Sequence, residues 1–376
     1  MTEFDDEFQE IGHCGGKITF HIKDEEGKRL YSVSFEHISS SGPISLFGVY
    51  ALVPQGIPVS TIKMGGIGQP WSPPPISPCI PVFIASDRQG FYGRNCPRCD
   101  QYFRTRCAPS EYVGPTTCAY CRLKAPTHEF LTEAHRRYIA YYVKIFGDAY
   151  NNGVDITIDM DAVANETTAE KPQYYYSEES QQTRFKCDCG VETDILGQYG
   201  FCPSCGRRNS FQVLENILND LESRVLNPKF SYEQRRERDE EWRHVVKLCV
   251  SSFEGFARDI LKFLVELPMT PTRKKQVGEI NFHNPIKSGE KLEAYFGIDM
   301  FKGIGEDDKE FMRKRFLRRH IYEHNSGVAD DDYISESGEA LRKGQLVRER
   351  SSNVSHLVEL VRILATNLDE GFHSIE

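Results

Sequence analysis

The sequence predicts an α+β multidomain fold, and three observations predict it. Apolar and polar residues alternate over much of the first eighty or so positions. Cysteines fall in two compact groups of four in the middle of the chain. From about residue 210 onward, apolar residues recur every three to four positions. The expected organisation is an N-terminal β-rich module (1–88), a first four-cysteine module with an amphipathic helix (89–150), a strand with a second four-cysteine module (151–210) and a C-terminal all-α helical bundle (211–376).

Composition narrows the class. The chain has 376 residues, enough for several separate cores, with 39% hydrophobic and 27% charged residues. It has no run of the roughly eighteen apolar residues that a helical membrane span requires. The start, MTEFDDEFQEIGH, is acidic and lacks an apolar h-region, so no secretory signal and a cytoplasmic location are expected. A formal net charge of −9 argues against a protein that coats nucleic acid over its whole surface, because phosphate binding needs positive potential, but it leaves room for a local basic site.

Each element has its own signal. KITFHI and LYSVSFEH alternate and are separated by the polar, glycine-containing KDEEGKR, which predicts a β-hairpin. PISLFGVYALV and IPVSTIKM read as further strands, and GGIGQPWSPPPISPCIP as a long loop broken by glycine and proline. PVFIASDRQGFYGRN runs as a strand into the first cysteine pair. EFLTEAHRRYIAYYVKIFGDAY places Leu131, Ala134, Tyr138, Tyr142 and Ile145 on one helical face, and VDITIDMDAV alternates as a strand. Three further helices carry apolar faces: Phe211, Leu214, Ile217 and Leu221; Trp242, Val245, Val246, Cys249, Phe253, Phe256 and Ile260, ending at Pro268; and Leu357, Val358, Val361 and Leu364. KEFMRKRFLRRHIYEH supplies a fourth.

Twelve cysteines without an export signal point to metal ligands rather than disulfides. Cys96, Cys99, Cys118 and Cys121 form C-x2-C-x18-C-x2-C. Cys187, Cys189, Cys202 and Cys205 form C-x-C-x12-C-x2-C, with Gly190 and Gly206 following the pairs where backbone must turn tightly. A two-residue insert lets both sulfurs of a pair reach one ion, so two structural Zn2+ sites, each in a four-cysteine zinc ribbon, are expected. The competing redox use of C-x-x-C belongs at a helix N-terminus in a βαβ setting, which these surroundings lack. Arg94, Arg98, Arg104 and Arg106, with Tyr102 and Phe103 between them, would suit single-stranded nucleic acid. The plainer alternative makes the aromatics the small core of the ribbon. Cys14, Cys79, Cys107 and Cys249 are expected to be buried small hydrophobes.

The last motif is RRHIYEHNSGVADDDYI, from Arg318 to Ile334. It follows Arg313, Lys314 and Arg315 on a helix whose start, GEDDKE, is acidic. With its helical surroundings, and with Arg319 and His324 as R-x4-H, the stretch 211–376 resembles the HEPN superfamily of all-helical domains found in bacterial defence and toxin ribonucleases. The resemblance implies a metal-independent endoribonuclease acting as a homodimer on RNA. In that scheme His324 is the general acid/base, and Arg319 or Arg318 holds the scissile phosphate. His320 orients substrate or shares proton transfer, and Asn325 fixes the imidazole or touches the phosphate. Arg319 and His324 are five residues apart, about 140° around a helix, so one helix does not aim both at one phosphate. A non-catalytic reading stands beside this one: histidines near a helix C-terminus favour the helix dipole, a charge run is often a solvated face, and the chain would then be a zinc-ribbon scaffold that dimerises and binds RNA or protein. No P-loop and no G-x-S-x-G elbow occurs, so neither an NTPase of that class nor a serine hydrolase is expected.

Overall fold

A computed structural model describes residues 10–37, 44–63, 71–106, 115–167, 182–227 and 234–375. The chain divides into two compact units, Met1–Asn209 and Ser210–Glu376, where the sequence expects four segments. Among the described residues no helix is long and apolar enough to cross a membrane.

In the first unit, β1 (Gly16–Glu25) and β2 (Lys28–His37) form the expected hairpin. Glu25 pairs with Lys28, so Glu26 and Gly27 make a two-residue turn, both with positive φ (51° and 77°), which suits the twist of the flanking strands. Ile18 and Phe20 are fully buried on one face of β1. A second sheet comprises β3 (Leu46–Leu52), β4 (Ile57–Ile62) and β5 (Cys79–Ala85) in the order β4-β3-β5. Helix α1 (Glu133–Asn152) completes this core. It is capped by Thr132, whose side chain accepts from the His135 N–H, and closed by the left-handed Gly153. Tyr138 donates to the Phe83 carbonyl at 3.0 Å, and Phe146 and Tyr142 pack on Phe20 with ring centroids 4.7 and 6.2 Å apart.

Two expectations change here. VDITIDMDAV is not one strand: β10 (Ile156–Asp159) stops after four residues and α2 (Met160–Thr167) begins at once. The cause is Asp159, whose side chain accepts from the Asp161 and Ala162 N–H groups at 3.0 and 3.1 Å and starts a helix where alternation alone reads as a strand. Secondly, β10 pairs with β1 and so extends the N-terminal sheet, although more than a hundred residues separate them.

The cysteine-bearing hairpins also merge. β6 (Tyr92–Asn95) and β7 (Tyr102–Thr105) flank the first cysteine pair, and β11 (Gln182–Lys186) and β12 (Glu192–Leu196) flank the third. They join as one sheet in the order β11-β12-β7-β6. The cross-strand pair Asp194–Arg104 lies at the junction, and the Arg104 guanidinium reaches Asp87 at 2.8 Å as well as Asp194. All three groups are at most 3% exposed. Burial pushes the Asp87 carboxyl up, although the Arg104 charge and two backbone N–H groups pull it down. Short strands β8 (Thr116–Thr117) and β9 (Lys124–Ala125) flank the second pair, Cys118 and Cys121.

The second unit is helical. α3 (Ser210–Leu226), α4 (Arg235–Leu264) and α9 (Ser351–Ser374) pack together. The whole expected α4 face, Trp242 to Ile260, is buried, as are Leu357, Val358, Val361 and Leu364 of α9. On α3 the buried stripe is Leu214, Leu218, Leu221 and Val225, with Phe211 and Ile217 at its edge. α5 (Pro271–Gly278), α6 (Pro285–Phe296), α7 (Glu306–His324) and α8 (Asp331–Ser337) surround that core. The acidic first turn of α7, Glu306 to Asp308, complements its dipole.

Candidate functional site

Each predicted set of four cysteines converges on one point, with all sulfurs of a set within 4.8 Å of one another. In the first set Cys96 and Cys121 are 3.6 Å apart, and Cys99 and Cys118 3.7 Å. In the second, Cys187–Cys205 and Cys189–Cys202 are both 3.5 Å apart. A disulfide needs about 2.0 Å, so these are free thiols. A tetrahedral ion with metal–sulfur bonds of about 2.3 Å has sulfur–sulfur edges of about 3.8 Å, close to what is seen. The backbone supports the same arrangement: Arg98 N–H points at the Cys96 sulfur (3.4 Å), and Tyr120 and Cys121 N–H at Cys118 (3.3 and 3.5 Å). Both sets could therefore hold a metal ion with no coordination position left open for catalysis.

The two sets brace each other. Phe201 N–H donates to the Ala119 carbonyl at 2.7 Å and Thr117 N–H to the Pro203 carbonyl at 2.8 Å, which ties the second pair of one set to the second pair of the other. The Tyr120 hydroxyl donates to the Tyr102 carbonyl and accepts from Leu196 N–H. The nucleic-acid reading of this region fails for most of its residues. Arg94 and Arg104 are 1% exposed and Tyr102 and Phe103 are buried, so no phosphate or base can reach them, and only Arg98 and Arg106 stay at the surface. The expected burial of Cys14, Cys79 and Cys249 is seen, while Cys107 lies outside the described residues.

The second candidate region is the C-terminal end of α7. The five singled-out residues separate into two groups. Arg318 is turned inward: its guanidinium bonds the Tyr333 hydroxyl at 3.0 Å, Glu349 at 2.7 Å and Glu339 at 2.6 Å. Burial alone would lower the Arg318 pKa, but the Glu349 and Glu339 carboxylates outweigh it and raise it. Tyr322 also donates to Glu349, at 2.9 Å. Asn325 is likewise engaged. It caps α7, and its side-chain amide donates to Asp330, which in turn caps α8 by accepting from Tyr333 N–H at 2.8 Å. Between them Ser326 and Gly327 take positive φ (52° and 82°), and the Gly327 N–H returns to the Ile321 carbonyl. A Cβ on Gly327 would meet the Arg243 guanidinium at 3.0 Å. Thus N-x-G-x-x-D-x-x-Y is spent on stopping one helix and starting the next.

Arg319, His320 and His324 make up the other group. His320 and His324 are exposed, with ring centroids 4.7 Å apart on one face. Arg319 turns instead toward α4: its Nε donates to the Ser251 hydroxyl at 3.3 Å and its guanidinium lies 3.8 Å from Glu254. The structure thus brings the two imidazoles together and directs the arginine toward α4.

Two residues on that side of Arg319 carry no sequence motif. Glu254 on α4 is only 3% exposed, and His283, in the turn before α6, places its Nδ1 2.8 Å from the Glu254 carboxylate. Their only sequence signal is a glutamate interrupting the apolar face of α4. No protein-family model matches this sequence, and no curated protein and no solved structure is significantly similar to it.

Proposed function

We propose that the helical unit is a metal-independent endoribonuclease of the HEPN type that works as a homodimer, and that the first unit carries two structural zinc ions in zinc-ribbon hairpins. The observation that supports a nuclease is the division of labour at the end of α7. Arg318, Asn325, Asp330 and Tyr333 form a framework that holds the helix end, while Arg319, His320 and His324 remain at or near the surface. A helix end fixed this firmly positions polar groups for RNA.

In this scheme Arg319 binds the scissile phosphate through a planar guanidinium, and His324, with His320 beside it, transfers protons. Arg319 faces α4 whereas His324 faces solvent, so a phosphate on one arginine is not in line with the imidazole of the same helix. Apposing two copies of α7 supplies the missing half of the site. The zinc ions hold hairpins together and take no part in the chemistry. A role as a toxin or antiviral effector, with the first unit restraining or triggering cleavage, follows from the family resemblance.

The test is incubation of the wild-type protein and His324→Ala with total RNA and with tRNA in EDTA, with folding and oligomeric state checked by circular dichroism and light scattering. Cleavage by the wild type alone, leaving 2′,3′-cyclic phosphate ends, is the expected result. A folded dimer that retains RNA but cuts none would instead identify a binding scaffold, and a monomer would remove the composite site.

A further inference from the structure

We propose that His283 is a second catalytic residue of this site, the base that takes the 2′-hydroxyl proton, held beside Arg319 by the buried carboxylate of Glu254. The inference rests on the ribonuclease reading above and extends it to a residue outside the motif.

The geometry starts with Glu254. A carboxylate that is 3% exposed on the face of α4 is costly to bury unless it is paired. His283 Nδ1 is its nearest partner at 2.8 Å, and Arg258 and Arg319 approach its other oxygen at 3.5 and 3.8 Å. One carboxylate therefore sets the positions of an imidazole and of the proposed phosphate-binding arginine. The ring is also fixed from its backbone. Phe282, fully buried, packs edge-on against Phe253 of α4, with centroids 6.4 Å apart. The His283 N–H donates to the Asn281 side chain at 2.8 Å, and Asn284 caps α6 by accepting from Lys287 N–H. The turn is thus nailed down on both sides of the histidine.

The side chain of His283 is nevertheless 53% exposed. With Nδ1–H donated to the carboxylate, Nε2 carries the lone pair on the far side of the ring, toward solvent. This is the base-and-orienter arrangement in which a carboxylate selects the tautomer and stabilises the imidazolium that forms. The Glu254 carboxylate that holds the ring also carries Arg258 of α4 and Arg319 of α7 on its other oxygen. Arg319, held by the same carboxylate, supplies the positive charge for the phosphate in this scheme.

The step then balances without metal or redox partner. The 2′-hydroxyl proton moves to Nε2 of His283 while the 2′-oxygen bonds phosphorus. The bond from phosphorus to the 5′-oxygen breaks, and that oxygen takes a proton from a His324 imidazolium. The products are a 2′,3′-cyclic phosphate and a 5′-hydroxyl. His283 ends protonated and His324 neutral, and exchange with water resets both.

The test separates base from acid by leaving group. Wild type, His283→Gln, His283→Ala, Glu254→Gln and His324→Ala are assayed on RNA and on a nucleoside 3′-(p-nitrophenyl phosphate), whose leaving group needs no proton. Both His283 variants are expected to lose about 100-fold or more on both substrates, and the acidic limb of the pH–rate profile with it. His324→Ala loses activity on RNA but recovers on the aryl ester. Glu254→Gln, which alters positioning, lowers kcat on both substrates with KM little changed. His283→Gln keeps the fold testable if the alanine variant melts early. His283 variants that cleave RNA within a few-fold of wild type, with the pH profile unchanged, overturn the proposal while a dead His324→Ala leaves the ribonuclease standing. A wild-type protein inert on both substrates removes the two together.

Discussion

The two four-cysteine sets have nearly the same sulfur geometry and very different surroundings. In the first, Cys96 and Cys118 are fully buried and Cys99 and Cys121 half-buried, and the set is continuous with a core of Phe103, Phe130, Phe185 and Ile195. In the second, Cys189 and Cys205 are exposed, and the apolar cluster around the set is, among the described residues, only Cys187, Val191 and Cys202. The first set is therefore embedded in a hydrophobic core, whereas the second lies at the edge of that core, joined to it through β11, β12 and the Phe201–Ala119 and Thr117–Pro203 hydrogen bonds. A metal ion contributes folding free energy wherever the unfolded chain has no preformed site, but the consequence of losing it differs with what else holds the region together.

The largest expected effect comes from Cys118→Ser. Removing a buried ligand from the core-embedded set should abolish one metal equivalent and unfold the first unit at 37 °C, read by metal content and circular dichroism. Cys205→Ser should also lose one equivalent but leave most of the unit folded. Equal damage from both would erase the distinction between the sets.

Arg104→Met probes the link between the two hairpins. It removes from the buried Asp87 and Asp194 carboxylates the guanidinium they share and should cost about 3–5 kcal/mol in denaturant unfolding. A loss below about 1 kcal/mol, the scale of an exposed pair, would show that the shared sheet is not held at that junction.

Kinetics should then separate the sets. On dilution into chelator, one metal equivalent should leave fast and the second slowly. Alkylation followed by mass spectrometry should find Cys189 and Cys205 modified before Cys96 and Cys118, because thiolate access governs modification. Release of both ions in a single phase would contradict the comparison. The smallest effect is expected for Arg207→Ala. Its 3.7 Å pair with Asp188 spans the exposed set and is itself exposed, so stability should change by no more than about 1 kcal/mol.

Acid should act on the first unit through His135. Its ring is fully buried between Phe47 and the positive charge of Arg94, and burial first, then that charge, push its pKa from the usual value down to about 3. A depressed folded-state value means that this contribution to stability is present above about 6.5 and is lost as pH falls toward about 3. His135→Phe should flatten that part of the stability profile, measured by urea midpoints across the range.

Much of this was legible in the sequence for local reasons. Cysteine spacing identified both four-cysteine sets, because a knuckle is a short-range device. Apolar periodicity identified the faces of α4 and α9, because helix packing imposes the period on sequence. The Glu26-Gly27 turn was marked by its glycine. Short helices were there to be read as well: Thr270-Pro271 and Asn284-Pro285 each join a capping residue to proline at the first helical position and start α5 and α6. Asp159 was the signal that a strand would turn into a helix, but alternation masked it.

What the chain alone determined is chemistry with short sequence reach: which thiols pair, where helices stop, which residue types could touch a phosphate. Only the tertiary structure decided that β10 pairs with β1 across the unit, that the two cysteine hairpins share one sheet through Arg104 and Asp194, that Arg318 is structural whereas Arg319 faces Glu254, and that His283 stands beside it. The physical reason is distance along the chain. Adjacent arginines on a helix point about 100° apart, so whether each meets carboxylates or solvent depends on neighbours that arrive from remote segments, and no local pattern encodes their arrival.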